Sequence, residues 1–144
     1  MRVETLPKEN LTQFTQWERI IHQMFMHPER AWWYAGDFMP PRMELSDPHF
    51  VGYEASSRIS EILERFNTEQ HQVFATEKDG RFRLIQVRWD NLPKSLELYP
   101  ELIKLAESSG ILKRYEGLEE LAQLWKPEPK QSASRTQKTF KSYA

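Results

Sequence analysis

The chain of 144 residues contains no cysteine. That excludes disulfides, thiol nucleophiles and every zinc site built on thiolates. Glycine is scarce, with five residues scattered along the chain, so no glycine-rich loop is available to cradle a phosphate. Long apolar runs are missing too: none approaches the roughly 18 residues that span a bilayer, and mean hydropathy is −0.73. The opening Met-Arg-Val-Glu-Thr-Leu-Pro-Lys lacks the apolar stretch of a signal peptide. The expectation is a cytoplasmic protein without a membrane partner. His22, His27, His49 and His71 stand in no metal-ligand spacing with one another or with a carboxylate. His22 and His27, five residues apart, face different sides of a helix. Asp37, Glu44 and Asp47 are acidic loop residues with no recognisable partner base. The reading is therefore no metal, no cofactor, no catalytic residues and no enzymatic activity.

What is present suits one small domain with appendages. Hydrophobic residues make up 39 % and aromatics 12 %, enough for a core, while 28 % charged residues solvate the surface. The net charge of −1 is unevenly spread. From Lys126 onward, five cations stand against Glu128, a net of +4. Residues 1–125 carry fifteen basic and twenty acidic side chains, a net of −5. An acidic body is unusual for a protein that grips DNA through phosphates.

Four segments follow from the pattern. Residues 1–11 are a lead-in. Residues 12–91 form the main domain, 92–126 a helical extension for packing or dimerisation, and 127–144 a basic tail expected to be disordered, because it cannot bury enough apolar surface. No internal repeat is visible. In the main domain Thr15 and Glu18 have the spacing of a capping box. Trp17, Ile20, Ile21, Met24 and Phe25 then share one helical face, and Pro28 ends it. Trp32-Trp33 reads as an extended bridge, and about 35–39 as a short helix stopped by Pro40-Pro41. A loop over 42–49 leads to a second long helix over about 54–66. Its buried stripe is Ala55, Ile59, Ile62, Leu63 and Phe66. Strands are expected at 73–75 and 82–89, with Asp79-Gly80 as the hairpin signal. Pro93 marks a boundary. Two further helices follow, about 100–108, stopped by Gly110, and about 117–125.

Three runs carry a resemblance. Thr15-Gln-Trp-Glu-Arg-Ile-Ile looks like a first helix, Tyr53-Glu-Ala-Ser-Ser-Arg-Ile-Ser-Glu-Ile like a recognition helix, and Asp79-Gly-Arg-Phe-Arg-Leu like a wing with its returning strand. In this order they resemble the winged helix-turn-helix domains common in prokaryotes and their phages, over about half the chain. The resemblance implies a mainly α fold with a small β-hairpin. It implies a winged helix-turn-helix followed by two C-terminal helices and the tail. It further implies a DNA-binding regulator of a prokaryote, phage or mobile element, with double-stranded DNA as partner. Members that bind proteins instead make an adaptor the alternative. Two features depart from the pattern: the long loop at 40–49, and three glutamates on the outer face of helix 54–66.

Each candidate residue has a plain reading beside its functional one. Ser56, Ser57 and Ser60 can bond phosphates or base edges, or be solvated helix positions. Arg58 and Arg65 can contact DNA, but Glu54–Arg58 and Glu61–Arg65 have the i, i+4 spacing of surface ion pairs. Lys78, Arg81 and Arg83 suit phosphate contact, with Arg81 and Arg83 on one strand face by alternation. Alternatively, they form a charged rim that protects the hairpin edge. Trp32, Trp33 and Tyr34 suit buried packing better than a stacking platform for single-stranded bases. Leu118, Leu121, Leu124 and Trp125 can form a homodimer seam or pack back on their own core.

Overall fold

A computed structural model describes residues 14–115 and 118–125, save the side chain of Leu118. The lead-in over 1–11 and the basic tail over 127–144 lie outside the described residues. The chain is mostly helical, with one two-stranded antiparallel hairpin.

Helix α1 (Gln16–Met26) starts where the capping box predicts: the Thr15 amide donates to Glu18 Oε1 at 2.8 Å. It buries Ile20, Ile21, Met24 and Phe25, and Trp17 packs part-buried beside them. An extended stretch brings Trp33 against Ile85, with both backbone bonds formed, at 2.9 and 2.8 Å. A 3₁₀ turn over Ala35–Phe38 follows, then the loop, then a 3₁₀ turn over Gly52–Glu54 that runs into helix α2 (Ala55–Phe66). Helix α2 buries Ala55, Ile59, Ile62 and Phe66; Leu63 packs part-buried.

Strands β1 (Phe74–Asp79) and β2 (Phe82–Val87) pair from Phe74↔Val87 to Asp79↔Phe82. The loop is therefore Gly80-Arg81, one residue later than the Asp79-Gly80 signal suggested. Gly80 has φ +63°, which an L side chain adopts only with strain. Ile85 spends both its N–H and its C=O on Trp33, so Trp33 flanks β2 on the edge away from β1. Asn67 ties the end of α2 to β1. Its Nδ2 donates to the Phe74 carbonyl at 2.8 Å, and its Oδ1 accepts from the Val73 and Phe74 amides at 3.0 and 3.2 Å.

Beyond the hairpin the structure differs from the sequence reading. Helix α3 (Leu92–Leu98) is not among the expected helices; Pro93 sits in its first turn, where its missing N–H costs nothing. Helix α4 (Ile103–Ser109) follows a 3₁₀ turn over Pro100–Leu102 and ends at Gly110, at φ +81°. Helix α5 (Ile111–Arg114) is an additional short turn. The last expected helix is a 3₁₀ segment over Leu118–Leu124. One core joins all these elements, with Trp89, Leu92, Leu102, Leu105, Ile111 and Leu121 extending the cluster built by α1, α2 and the hairpin. Among the described residues no helix is long and apolar enough to cross a membrane.

Candidate nucleic-acid interface

The outward face of α2 carries Ser56 and Ser57 exposed, and Ser60 half-buried. The α2 stripe points its apolar side at α1 and so turns these hydroxyls outward. Arg83 Nη1 donates to Ser60 Oγ at 3.0 Å, which fixes one hairpin cation against the helix. In the hairpin register Lys78 stands opposite Arg83. Like charges directly opposed across two strands destabilise the pair unless an anion lies between them. Arg81 occupies the turn itself rather than a strand position, so alternation does not put it on the face of Arg83. It makes no hydrogen bond or ion pair among the described residues.

Arg58 and Arg65 are placed differently. The i, i+4 pairs suggested by spacing give way to other partners. Arg58 Nε lies 3.5 Å from Glu61 Oε1, three residues on, with both atoms shielded from solvent. Arg65 Nη2 lies 3.5 Å from Glu101 Oε2, and its guanidinium stacks 4.7 Å from the Trp17 ring. Glu101 approaches from the C-terminal helices, a long-range contact with no local signature.

Between α2, residues 34–42 and the hairpin turn lies a groove of about 550 Å³. Ile59 and Ser56 form its α2 side, Met39, Pro40 and Pro41 the loop side, and Arg81, Phe82 and Arg83 the hairpin side. Tyr34 and Phe82 meet there edge-to-face, with ring centroids 5.3 Å apart at 75°. The absence of a side chain at Gly36 permits this: a Cβ there would stand 2.6 Å from the Tyr34 ring. Arg42 closes one end, its guanidinium 5.7 Å from the Tyr34 ring centroid. Its Nη1 bonds Asp37 Oδ1 at 3.1 Å. Asp37 is itself buried, held by Arg30 Nη2 at 2.6 Å and by the Tyr34 amide at 2.9 Å. The structure thus gathers Ser56, Ser60, Arg81 and Arg83, with Lys78 alongside. The sequence pattern gives Tyr34 no place as a groove wall, Phe82 only a strand position in the wing run and Arg42 only the start of a loop; for Phe82 the available signal is an aromatic between two arginines at a hairpin tip.

The four residues proposed for a dimer seam are placed as follows. Leu121 is fully buried in the chain's own core, and Leu124 packs part-buried against it. Trp125 lies 6.3 Å from the Trp32 ring and carries the Arg88 guanidinium 4.6 Å above it. The Leu118 side chain lies outside the described residues. Trp33 is buried, while Trp32 and Tyr34 are part-buried.

A second grouping escaped the sequence altogether. His22 Nδ1 lies 2.9 Å from His49 Nε2, with the rings stacked 5.2 Å apart, and His22 Nε2 lies 3.2 Å from Ser108 Oγ. Burial holds His49 down at about 4, helped by the neighbouring His22 and opposed by Asp47. Burial also lowers His22, against the bond to Ser108. Twenty-seven residues separate the two histidines. No family model matches the chain, and no curated protein or solved structure matches it.

Proposed function

We propose that the chain is a winged-helix DNA-binding protein, a transcriptional regulator of a prokaryote, phage or mobile element. In this reading α2 enters the major groove and the β1–β2 hairpin is the wing. The observation that carries it is the order and pairing of elements: α1, the Trp33 bridge, the 35–38 turn, α2, then the hairpin, with Trp33 beside β2. Such an arrangement leaves one helix face and one hairpin tip turned outward together. Ser56 and Ser57 reach for base edges or phosphates. Ser60 holds Arg83 in place, and Lys78, Arg81 and Arg83 neutralise backbone phosphates.

Three phosphate contacts imply a log–log salt slope of about −2.7, or roughly 40-fold weaker binding between about 50 and 200 mM salt. Fluorescence anisotropy with a random-sequence duplex reads this directly. Absence of binding at the lower salt would sink the reading.

The second reading is a protein–protein adaptor on the same fold. It is favoured by the charge on and around α2: Glu61 engages Arg58, Glu101 from the following helices engages Arg65, and Glu54 and Glu64 stay exposed. It predicts no duplex binding at about 50 mM salt, where phosphate contacts are strong, and a stoichiometric complex with one partner protein on size-exclusion chromatography.

A further inference from the structure

We propose that the groove between residues 34–42, α2 and the hairpin turn holds one unpaired nucleotide of a DNA strand. Its base lies against Tyr34 and Phe82, and its phosphate on Arg81. The inference rests on the DNA-binding reading and adds a substrate feature to it.

Size and lining come first. A volume of about 550 Å³ falls within the range of sites that enclose a ring-sized ligand. The walls are apolar and aromatic, which suits a base face rather than a bare phosphate. Phe82 remains 51 % exposed at the hairpin tip. An aromatic left half in water there, beside a second ring, forms a surface on which a base can stack. Paired bases are already stacked on their neighbours, so only a nucleotide out of the stack can offer its face.

Charge gives the second argument. The body carries a net of −5, yet the described lining holds three arginines and no carboxylate. Arg83 is engaged by Ser60 and Arg42 by Asp37. Arg81 has no partner among the described residues, and the Lys78–Arg83 opposition adjoins it. A single phosphate at Arg81 would relieve both. Position is the third argument: Ser56 lines the groove and also belongs to the outward face of α2. A strand lying along α2 passes its mouth.

The test compares a perfect duplex with the same duplex carrying one bulged 5-iodouracil. The wild type is expected to bind the bulged duplex about tenfold more tightly, the size of one base–aromatic stack. Irradiation should crosslink the bulge to Tyr34 or Phe82, mapped by mass spectrometry. In Phe82→Ala the ratio should fall to about one, and Phe82→Trp should restore it. Equal affinity of the wild type for both duplexes overturns the inference and leaves the DNA reading standing; binding to neither overturns both. A preference that survives in Phe82→Ala, with crosslinks elsewhere, removes the groove from the account. Competition by micromolar thymidine monophosphate would make the groove a small-molecule site and overturn the strand assignment. A dimer that Phe82→Ala dissolves would give the groove to a second copy of the chain.

Discussion

His49 sits nearly enclosed, with Nε2 on His22 and Nδ1 3.6 Å from Asp47 Oδ1. One tautomer arrangement satisfies the set: Ser108 donates to His22 Nε2, His22 Nδ1–H donates to His49 Nε2, and His49 Nδ1–H faces Asp47. Burial of the two rings disfavours a charge on either, and at His49 the neighbouring His22 adds to it, so both lie below their ordinary value. The folded state holds His49 at about 4, against 6.5 when unfolded. Between these values the unfolded chain binds the proton first, so stability is full above about 6.5 and falls as pH drops toward 4. Urea unfolding is expected to show a loss of about 2–3 kcal/mol by about pH 4.5. Carboxylates do not explain a loss in that window. At Glu18 burial is outweighed by bonds from Lys104 and Thr15, and at Asp90 the bond to Arg88 leads; both lie below their ordinary 4.5 and 3.8. Their contributions disappear only at lower pH. His71, also lowered by burial, adds in the same direction. A flat stability profile from pH 7 to 5 would contradict the enclosed pair.

At the scale of elements, the angle between α2 and the hairpin decides what the outward face can do. Asn67 sets it, since one side chain replaces three backbone partners at the joint. Asn67→Ala strands the Val73 and Phe74 amides and should cost about 2 kcal/mol in chemical unfolding. In the proposed DNA-binding reading the hairpin's charges have a separate role. Arg81→Ala with Arg83→Ala should leave stability nearly unchanged, because both side chains are exposed. The duplex salt slope should move from about −2.7 to about −0.9, two phosphate contacts fewer. An unchanged slope would mean that the hairpin does not touch the backbone. Arg58→Ala should change that slope little, since Glu61 already engages its charge.

At the scale of the molecule, the 118–124 segment closes the core over Trp89–Asn91 and α3. Leu121 is fully enclosed there. Leu121→Ala should therefore cost about 3 kcal/mol, the loss typical of a buried leucine. Light scattering separates the two roles of this leucine. Enclosed in its own chain, it can be shortened without any change in molecular mass; at a dimer seam, its loss would halve the mass. The same closure brings Trp125 onto Trp32 and Arg88, and Arg88 in turn onto Asp90 at 2.7 Å.

Local chemistry made much of the fold readable. The capping box at Thr15, the apolar stripes of α1 and α2, the glycine at the hairpin and the stop at Gly110 each act within a few residues, so the chain states them directly. The extended stretch at Trp33 suits large aromatics, which favour strand geometry. Helix α3 had no clear periodic signal, although Pro93 suits a first helical turn; the packing of Leu92 and Leu96 into the core holds it. The serines and hairpin cations were also readable, as residue types on an exposed helix face and a tip. What joined Ser60 to Arg83, took Arg65 to Glu101 and paired His22 with His49 was tertiary structure alone. These contacts join residues 23, 36 and 27 positions apart. Sequence periodicity reports which face of an element is apolar, not which distant side chain will meet it. The groove belongs to the same class: Tyr34, Ile59 and Phe82 come from three elements, and their meeting depends on the angle at which α2 and the hairpin pack.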